Sequence, residues 1–143
     1  MSDRNKAVVR RLIEEHWNGK NAAMVEELFE NGVTIHTPDG VLTGFDGARY
    51  LLDAYETAFP DFHIAIEDLI AEGDQVVVRY TFTGTHRGAL ADIPSTGLRV
   101  TVPNGVLIYR LSSGKVSEGF FLWNKYSLLQ QIRVLPAAAS AGA

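Results

Sequence analysis

Hydrophobic positions recur at helical spacing in the first third of the chain and then switch to strict alternation. Val8, Val9, Leu12, Ile13, His16 and Trp17 fall on one helical face, with Arg10, Arg11, Glu14 and Glu15 between them, and Asn18-Gly19 ends the run. A second, shorter helix is expected from Ala22 to Phe29, capped by Asn21, with Met24, Val25, Leu28 and Phe29 as its apolar stripe. Residues 33–37 read as a strand that Pro38-Asp39-Gly40 turns. A third helix, from Gly47 to Phe59, carries Tyr50, Leu51, Ala54, Tyr55 and Ala58 on one side and stops at Pro60.

Beyond Pro60 the period is two. Phe62, Ile64 and Ile66 alternate in a strand that reaches Ile70, and Glu72-Gly73-Asp74 turns it. On the return strand, Gln75 to Thr85, Val76, Val78, Tyr80 and Phe82 share one face, and Arg79, Thr81 and Thr83 the other. A Gly/Pro/Thr-rich loop, 86–97, leads to a strand from Leu98 to Leu111, and Ser112-Ser113-Gly114-Lys115 turns into a last strand, Val116 to Trp123. The pattern predicts one α+β domain over residues 1–135: three N-terminal helices packed on a strongly curved, mainly antiparallel sheet that forms a cone-shaped barrel around an apolar pocket. The patternless tail, 136–143, is expected to be disordered.

Composition narrows the function classes. With 46% hydrophobic and 21% charged residues and a net charge of −4, the chain offers no basic surface for nucleic acid or anionic lipid. No stretch approaches the roughly 18 apolar residues of a spanning helix, and the N-terminal residues lack a secretory pattern, so a cytoplasmic protein without membrane partners is expected. Cysteine is absent, which excludes thiolate chemistry and disulfides. The four histidines show no ligand spacing, no Walker lysine follows Gly40 to Gly47, and no Gly-x-Ser-x-Gly elbow occurs; neither metal nor cofactor is expected.

From Ala58 to Ile132 the chain resembles the SnoaL-like polyketide cyclases of the nuclear-transport-factor-2-like superfamily. The resemblance rests on an ordered series: Phe59-Pro60-Asp61-Phe62-His63, Glu67-Asp68, Ala71-Glu72-Gly73-Asp74, Gly84-Thr85-His86-x-Gly88, Ile93-Pro94-x-Thr96-Gly97, Gly114-Lys115-Val116 with Glu118, and Trp123 followed by Leu128-Leu129-Gln130-Gln131. It implies a dimer with an apolar pocket and a metal-free, cofactor-free ring closure run by an aspartate after the last strand and a histidine on the preceding one. Carried onto this chain, those positions fall on Asn124 and Leu107, the latter placement crossing what looks like a one-residue extension at Pro103-Asn104-Gly105. An amide exchanges no proton near neutral pH and a leucine does nothing of the kind.

The function these readings support is a cofactor-free enzyme for a hydrophobic, polyketide-like or aromatic small molecule, performing cyclisation, isomerisation or a related proton shift; the alternative is a non-catalytic carrier that keeps the pocket. Asn124 reads equally as a pocket donor or as a cap of the helix that follows. His36 is the remaining base, with a partly exposed strand histidine as its plainer reading. Tyr55, Phe59, Tyr80, Phe82, Leu107, Tyr109 and Phe120 are assigned to the pocket wall; Glu118 shares a strand face with Phe120 and Asn124, as a pocket acid or, more simply, a surface glutamate. Phe121 and Trp123, on the opposite face, are expected to form a homodimer surface.

Overall fold

A computed structural model describes residues 2–136. The tail expected to be disordered lies, apart from Pro136, outside the described residues. Helix α1 (Ser2–Arg11) runs on as a π-helical segment (Leu12–Trp17); a 3-10 turn (Ala22–Met24) leads into α2 (Val25–Leu28). Strands β1 (Phe29–Thr37) and β2 (Gly40–Thr43) form a hairpin before α3 (Gly44–Ala58), so α3 does not precede the sheet. Then follow β3 (His63–Glu72), β4 (Gln75–Thr85), β5 (Arg99–Ser112), β6 (Lys115–Leu122) and a closing helix α4 (Lys125–Gln131).

The six strands form one sheet in the order β2-β1-β6-β5-β4-β3, antiparallel except for the β1–β6 pair. The sheet is open, with β2 and β3 as its edges, not the closed barrel expected from the sequence. Loop 18–20 covers part of the β3 edge: the Asn18 amide accepts from Ile64 N at 2.7 Å and donates to Ile64 O at 2.9 Å, while Lys20 Nζ donates to Phe62 O at 2.8 Å.

Three one-residue insertions set the parity of the inner face, the first at Glu67 in β3, between the pairs Ile66–Tyr80 and Asp68–Arg79. Between the pairs Tyr80–Gly105 and Phe82–Val102, β5 carries one residue more than β4; this is the Pro103-Asn104 extension, and Asn104 adopts φ 60°. Between Arg110–Glu118 and Leu111–Val116, β6 carries an extra residue at Ser117. Each bulge reverses which side alternate residues face. Val116, Gly119 and Phe121 therefore all point toward the helices.

The core lies between this face and the helices. Val9, Leu12, Ile13 and Trp17 from the first helix and Ala48, Leu51 and Leu52 from α3 pack with Val76, Val78, Val100, Leu107, Tyr109 and Leu111. Each such side chain contributes on the order of 1.5–3 kcal/mol when fully buried. Tyr50, expected on the inner side of α3, is 64% exposed. The π-helical turn places the adjacent residues His16 and Trp17 both inside, which a regular helix would allow less readily.

Two histidines are enclosed in this scaffold. His16 Nδ1 donates to Asn21 O at 2.8 Å, leaving Nε2 without a partner; His86 Nδ1 accepts from Thr96 N at 3.2 Å, leaving its own Nε2 unpaired. Burial lowers both pKa values from their ordinary range. The unfolded chain thus binds more protons than the folded one once pH drops below about 6.5. Stability should be full above that value and decline below it, by at most about 1.4 kcal/mol per pH unit for each histidine. Melting temperatures taken from pH 8 to 5.5 check this: the decline should be shallower in His16→Gln and His86→Gln, and an unchanged slope in both would remove the assignment.

Candidate functional site

Where the sheet curves over the first helix and α3, a cavity of about 30 Å³ remains. Its inner end is made by buried side chains: Trp17 from the π-helical turn, Tyr80 from β4, Leu107 from β5 and Phe121 from β6. Ile64, Val102 and Leu128 complete the apolar wall, and the partly exposed Tyr55, Phe82 and Trp123 form the outer end. The rings meet edge to face: Tyr55 stands 6.1 Å from Trp17, 6.1 Å from Trp123 and 5.9 Å from Phe82, and Trp17 stands 5.6 Å from Phe121.

Among the described residues, no carboxylate, histidine or lysine lines this cavity. Its polar groups are the hydroxyls of Tyr55 and Tyr80 and the indole N–H groups of Trp17 and Trp123. Burial raises the pKa of both tyrosines above its ordinary value, and for Tyr55 the neighbouring Tyr80 and the Asp39 carboxylate raise it further. Both phenols thus stay protonated at neutral pH and serve as hydrogen-bond donors. Asp39 stands at the β1–β2 turn and is held in an ion pair with Lys125 at the start of α4.

Four of the residues assigned to the pocket from sequence, Tyr55, Tyr80, Phe82 and Leu107, line the cavity. Phe59 and Tyr109 are fully buried next to it: Phe59 packs on Phe82 at 5.3 Å and Tyr109 on Phe121 at 6.2 Å. His36, Glu118 and Phe120 lie together on the opposite face of the sheet. There His36 Nε2 is 2.9 Å from Glu118 Oε2, and its ring stacks on Phe120 at 4.4 Å. Arg110 Nε lies 3.7 Å from the other Glu118 oxygen. The expectation that Glu118 and Phe120 face the pocket, with Phe121 and Trp123 outside, is thus corrected. The bulge at Ser117 supplies the reason, since it turns the odd-numbered residues of β6 inward. Phe121 and Trp123 are cavity residues, on the helix-facing side of the sheet.

Asn124 follows the last strand as the cap of α4. Its Oδ1 accepts from Ser127 N at 2.9 Å, and it does not line the cavity. Sequence reasoning missed Trp17, Ile64, Val102 and Leu128 as well as Phe121 and Trp123; the helical periodicity of Trp17 marked it only as core.

Tyr80 owes its position to the residue opposite. A side chain at Gly105 would place its Cβ 2.3 Å from the Tyr80 ring, so only glycine lets the phenol lie across β5. Gly105→Ala should push that ring into the cavity, costing roughly 1–3 kcal/mol and abolishing ligand binding. Asn124→Ala, in contrast, should lose about 1 kcal/mol of stability through the cap while leaving ligand affinity unchanged. Chemical denaturation and binding titrations on the two variants separate these outcomes.

Residues 7–132 match the family model described as SnoaL-like polyketide cyclase. No curated protein matches the chain. Among solved structures, a candidate SnoaL-like polyketide cyclase from Jannaschia sp. CCS1 superposes with a TM-score of 0.87 at 25% identity, covering 94% of this chain and 95% of its own. AclR, a candidate hydroxylase from Streptomyces galilaeus, gives 0.86 at 25% identity, covering 99% and 88%. IdmH, a candidate polyketide cyclase from Streptomyces antibioticus, gives 0.78 at 21% identity over 90% and 97%, a likeness of fold alone.

Proposed function

We propose, from the fact that this chain belongs to the SnoaL-like polyketide cyclase family, that it is a cofactor-free enzyme for a hydrophobic, aromatic or polyketide-like small molecule. Its cavity binds and orients that molecule for ring closure, isomerisation or a related proton shift. The observation that carries this reading is the cavity wall: six aromatic side chains, four of them bearing a hydrogen-bond donor, and among the described residues no side chain that titrates near neutral pH.

Such a wall can do two things. It excludes water and holds a flexible substrate folded, and orientation alone supplies up to about 7–11 kcal/mol when reacting atoms are held at near-attack distance. It also polarises a carbonyl: a phenol O–H aimed at an oxygen that gains charge stabilises the transition state by roughly 3 kcal/mol. The wall holds no group to abstract a proton, so proton movement in this reading falls to the substrate's own acidic positions or to solvent at the mouth. The roles assigned from sequence to Asn124, as a pocket donor, and to His36, as a base, are not part of it, because neither lines the cavity.

One observation favours a second reading, a non-catalytic carrier. The cavity of about 30 Å³ is far below the roughly 300–1,000 Å³ of an open ligand pocket, so a ligand enters only if the outer rings turn aside. Both of the chain's tryptophans line the cavity, so intrinsic fluorescence reports on this site alone. Titration with a panel of aromatic ketones and linear poly-β-ketones should shift that fluorescence, and mass spectrometry after incubation should reveal an isomeric or dehydrated product. Binding without product establishes the carrier; no binding across the panel removes both readings.

The same wall sets the pH dependence. With the tyrosines raised away from neutrality, turnover should vary less than about two-fold between pH 5.5 and 8.5. A bell-shaped profile with a limb near pH 6–7 would instead require a carboxylate or histidine at the reacting atoms. Tyr80→Phe should lower kcat about 10- to 100-fold with little change in KM.

A further inference from the structure

Two polar atoms at and beside the inner end of the cavity are left unmatched by the protein, one on the lining residue Trp17 and one on Tyr109, which is buried next to it. Trp17 Nε1 and Tyr109 Oη are buried without a hydrogen-bond partner. The two rings flank Phe121, at 5.6 and 6.2 Å, and the Trp17 indole lies close enough to bear on the Tyr109 hydroxyl without closing a bond to it. Gly119 stands opposite Tyr109 across the β5–β6 pair, where a Cβ would approach the phenol ring to 3.2 Å; the missing side chain makes room for that ring.

Donor counting decides what this pair can accept. An indole nitrogen only donates, and a phenol donates once and accepts. If Trp17 were to donate to Tyr109, the Tyr109 O–H would still be a buried donor with nothing to meet. The pair therefore carries a surplus donor in every arrangement it can reach alone, and such a group is costly to leave unpaired. Trp17 lines the cavity and Tyr109 packs on Phe121, another lining residue, so the cavity is the side from which we infer that an acceptor approaches the pair. No lysine, arginine or histidine lines the cavity to balance a negative charge.

We propose that Trp17 Nε1–H and Tyr109 Oη–H form an oxygen-anchoring subsite, which takes a neutral acceptor oxygen, a ketone or quinone carbonyl, on the leading end of an otherwise hydrophobic ligand. The subsite rests on the pocket reading above and sharpens it: the ligand enters oxygen first, past the Tyr55, Phe82 and Trp123 rings. Tyr80, the lining phenol of the same inner end, is left to polarise a second oxygen. The ligand class is thus an aromatic or polyketide skeleton with at least two oxygens, one anchored and one at the reacting end.

The test compares 1-tetralone with tetralin, the same bicyclic skeleton with and without one carbonyl, by isothermal titration calorimetry. Wild-type protein should prefer the ketone about ten-fold, and Tyr109→Phe and Trp17→Phe should each reduce the ratio of ketone to tetralin affinity below about three-fold, whatever the change in the affinity for tetralin itself. Equal affinities in the wild type, or a preference kept in both variants, overturn the subsite and leave the pocket standing. Failure of wild type to bind either compound overturns both. A second arm needs no ligand. Because the Tyr109 hydroxyl has no partner in the free protein, Tyr109→Phe should melt at the same temperature as wild type or higher. A fall of several degrees would mean that the hydroxyl is already engaged, and the subsite would be overturned.

Discussion

The one-residue insertions at Pro103-Asn104 in β5 and at Ser117 in β6 decide which side chains these two strands turn toward the helices. Strand side chains alternate with a period of two, so a single inserted residue moves every later side chain to the other face. Val102 and Leu107 both face the cavity only because the β5 bulge lies between them, and Val116 and Phe121 both face inward only because of the one in β6. Without the second bulge Glu118 and Phe120 would enter the cavity, and the wall would contain a carboxylate. The chemistry open to the site is therefore set by strand register more than by any residue in the wall itself.

The same constraint explains how much of the architecture the sequence reveals. Long strands with clear alternation and strong turns are legible: β4 is read from Gln75 to Thr85 without error, because Glu72-Gly73-Asp74 fixes its start and Val76, Val78 and Tyr80 its face. The β5 extension is legible too, through Asn104-Gly105. The β6 bulge is not, because Ser117 adopts it without glycine or any other turn signal. A call on faces made by alternation from that point therefore runs one residue out of phase. The β1–β2 hairpin is legible only as a turn, since four residues are too few to show a period. Trp17 escapes for a different reason: core and cavity wall are the same surface here, so periodicity cannot tell one from the other.

Two glycines do for the cavity what large side chains cannot. Gly105 and Gly119 sit opposite Tyr80 and Tyr109, and each leaves the space into which a phenol ring lies across the neighbouring strand. A sheet with alanine at both places would have to expel both rings. The hydroxyls are therefore held by backbone approach, not by hydrogen bonds to other side chains, which keeps their donors available for a ligand.

A cavity of about 30 Å³ walled by aromatic rings holds a water or two and no aromatic ligand. Opening it requires movement at the end where the rings are least enclosed, and that end is Tyr55, Phe82 and Trp123. Tyr55 is the ring on which this depends, since it contacts Trp17, Phe82 and Trp123 at once. Edge-to-face contacts contribute only about 0.5–1.5 kcal/mol each, so displacing this ring costs a few kcal/mol, which a hydrophobic ligand recovers on burial. Ligand affinity is then the difference between two similar quantities, the contacts the ligand makes and the ring contacts it replaces. On the proposed reading, a skeleton that stacks as the displaced rings did is favoured over an aliphatic one of equal area, with no need of a charged group in the wall.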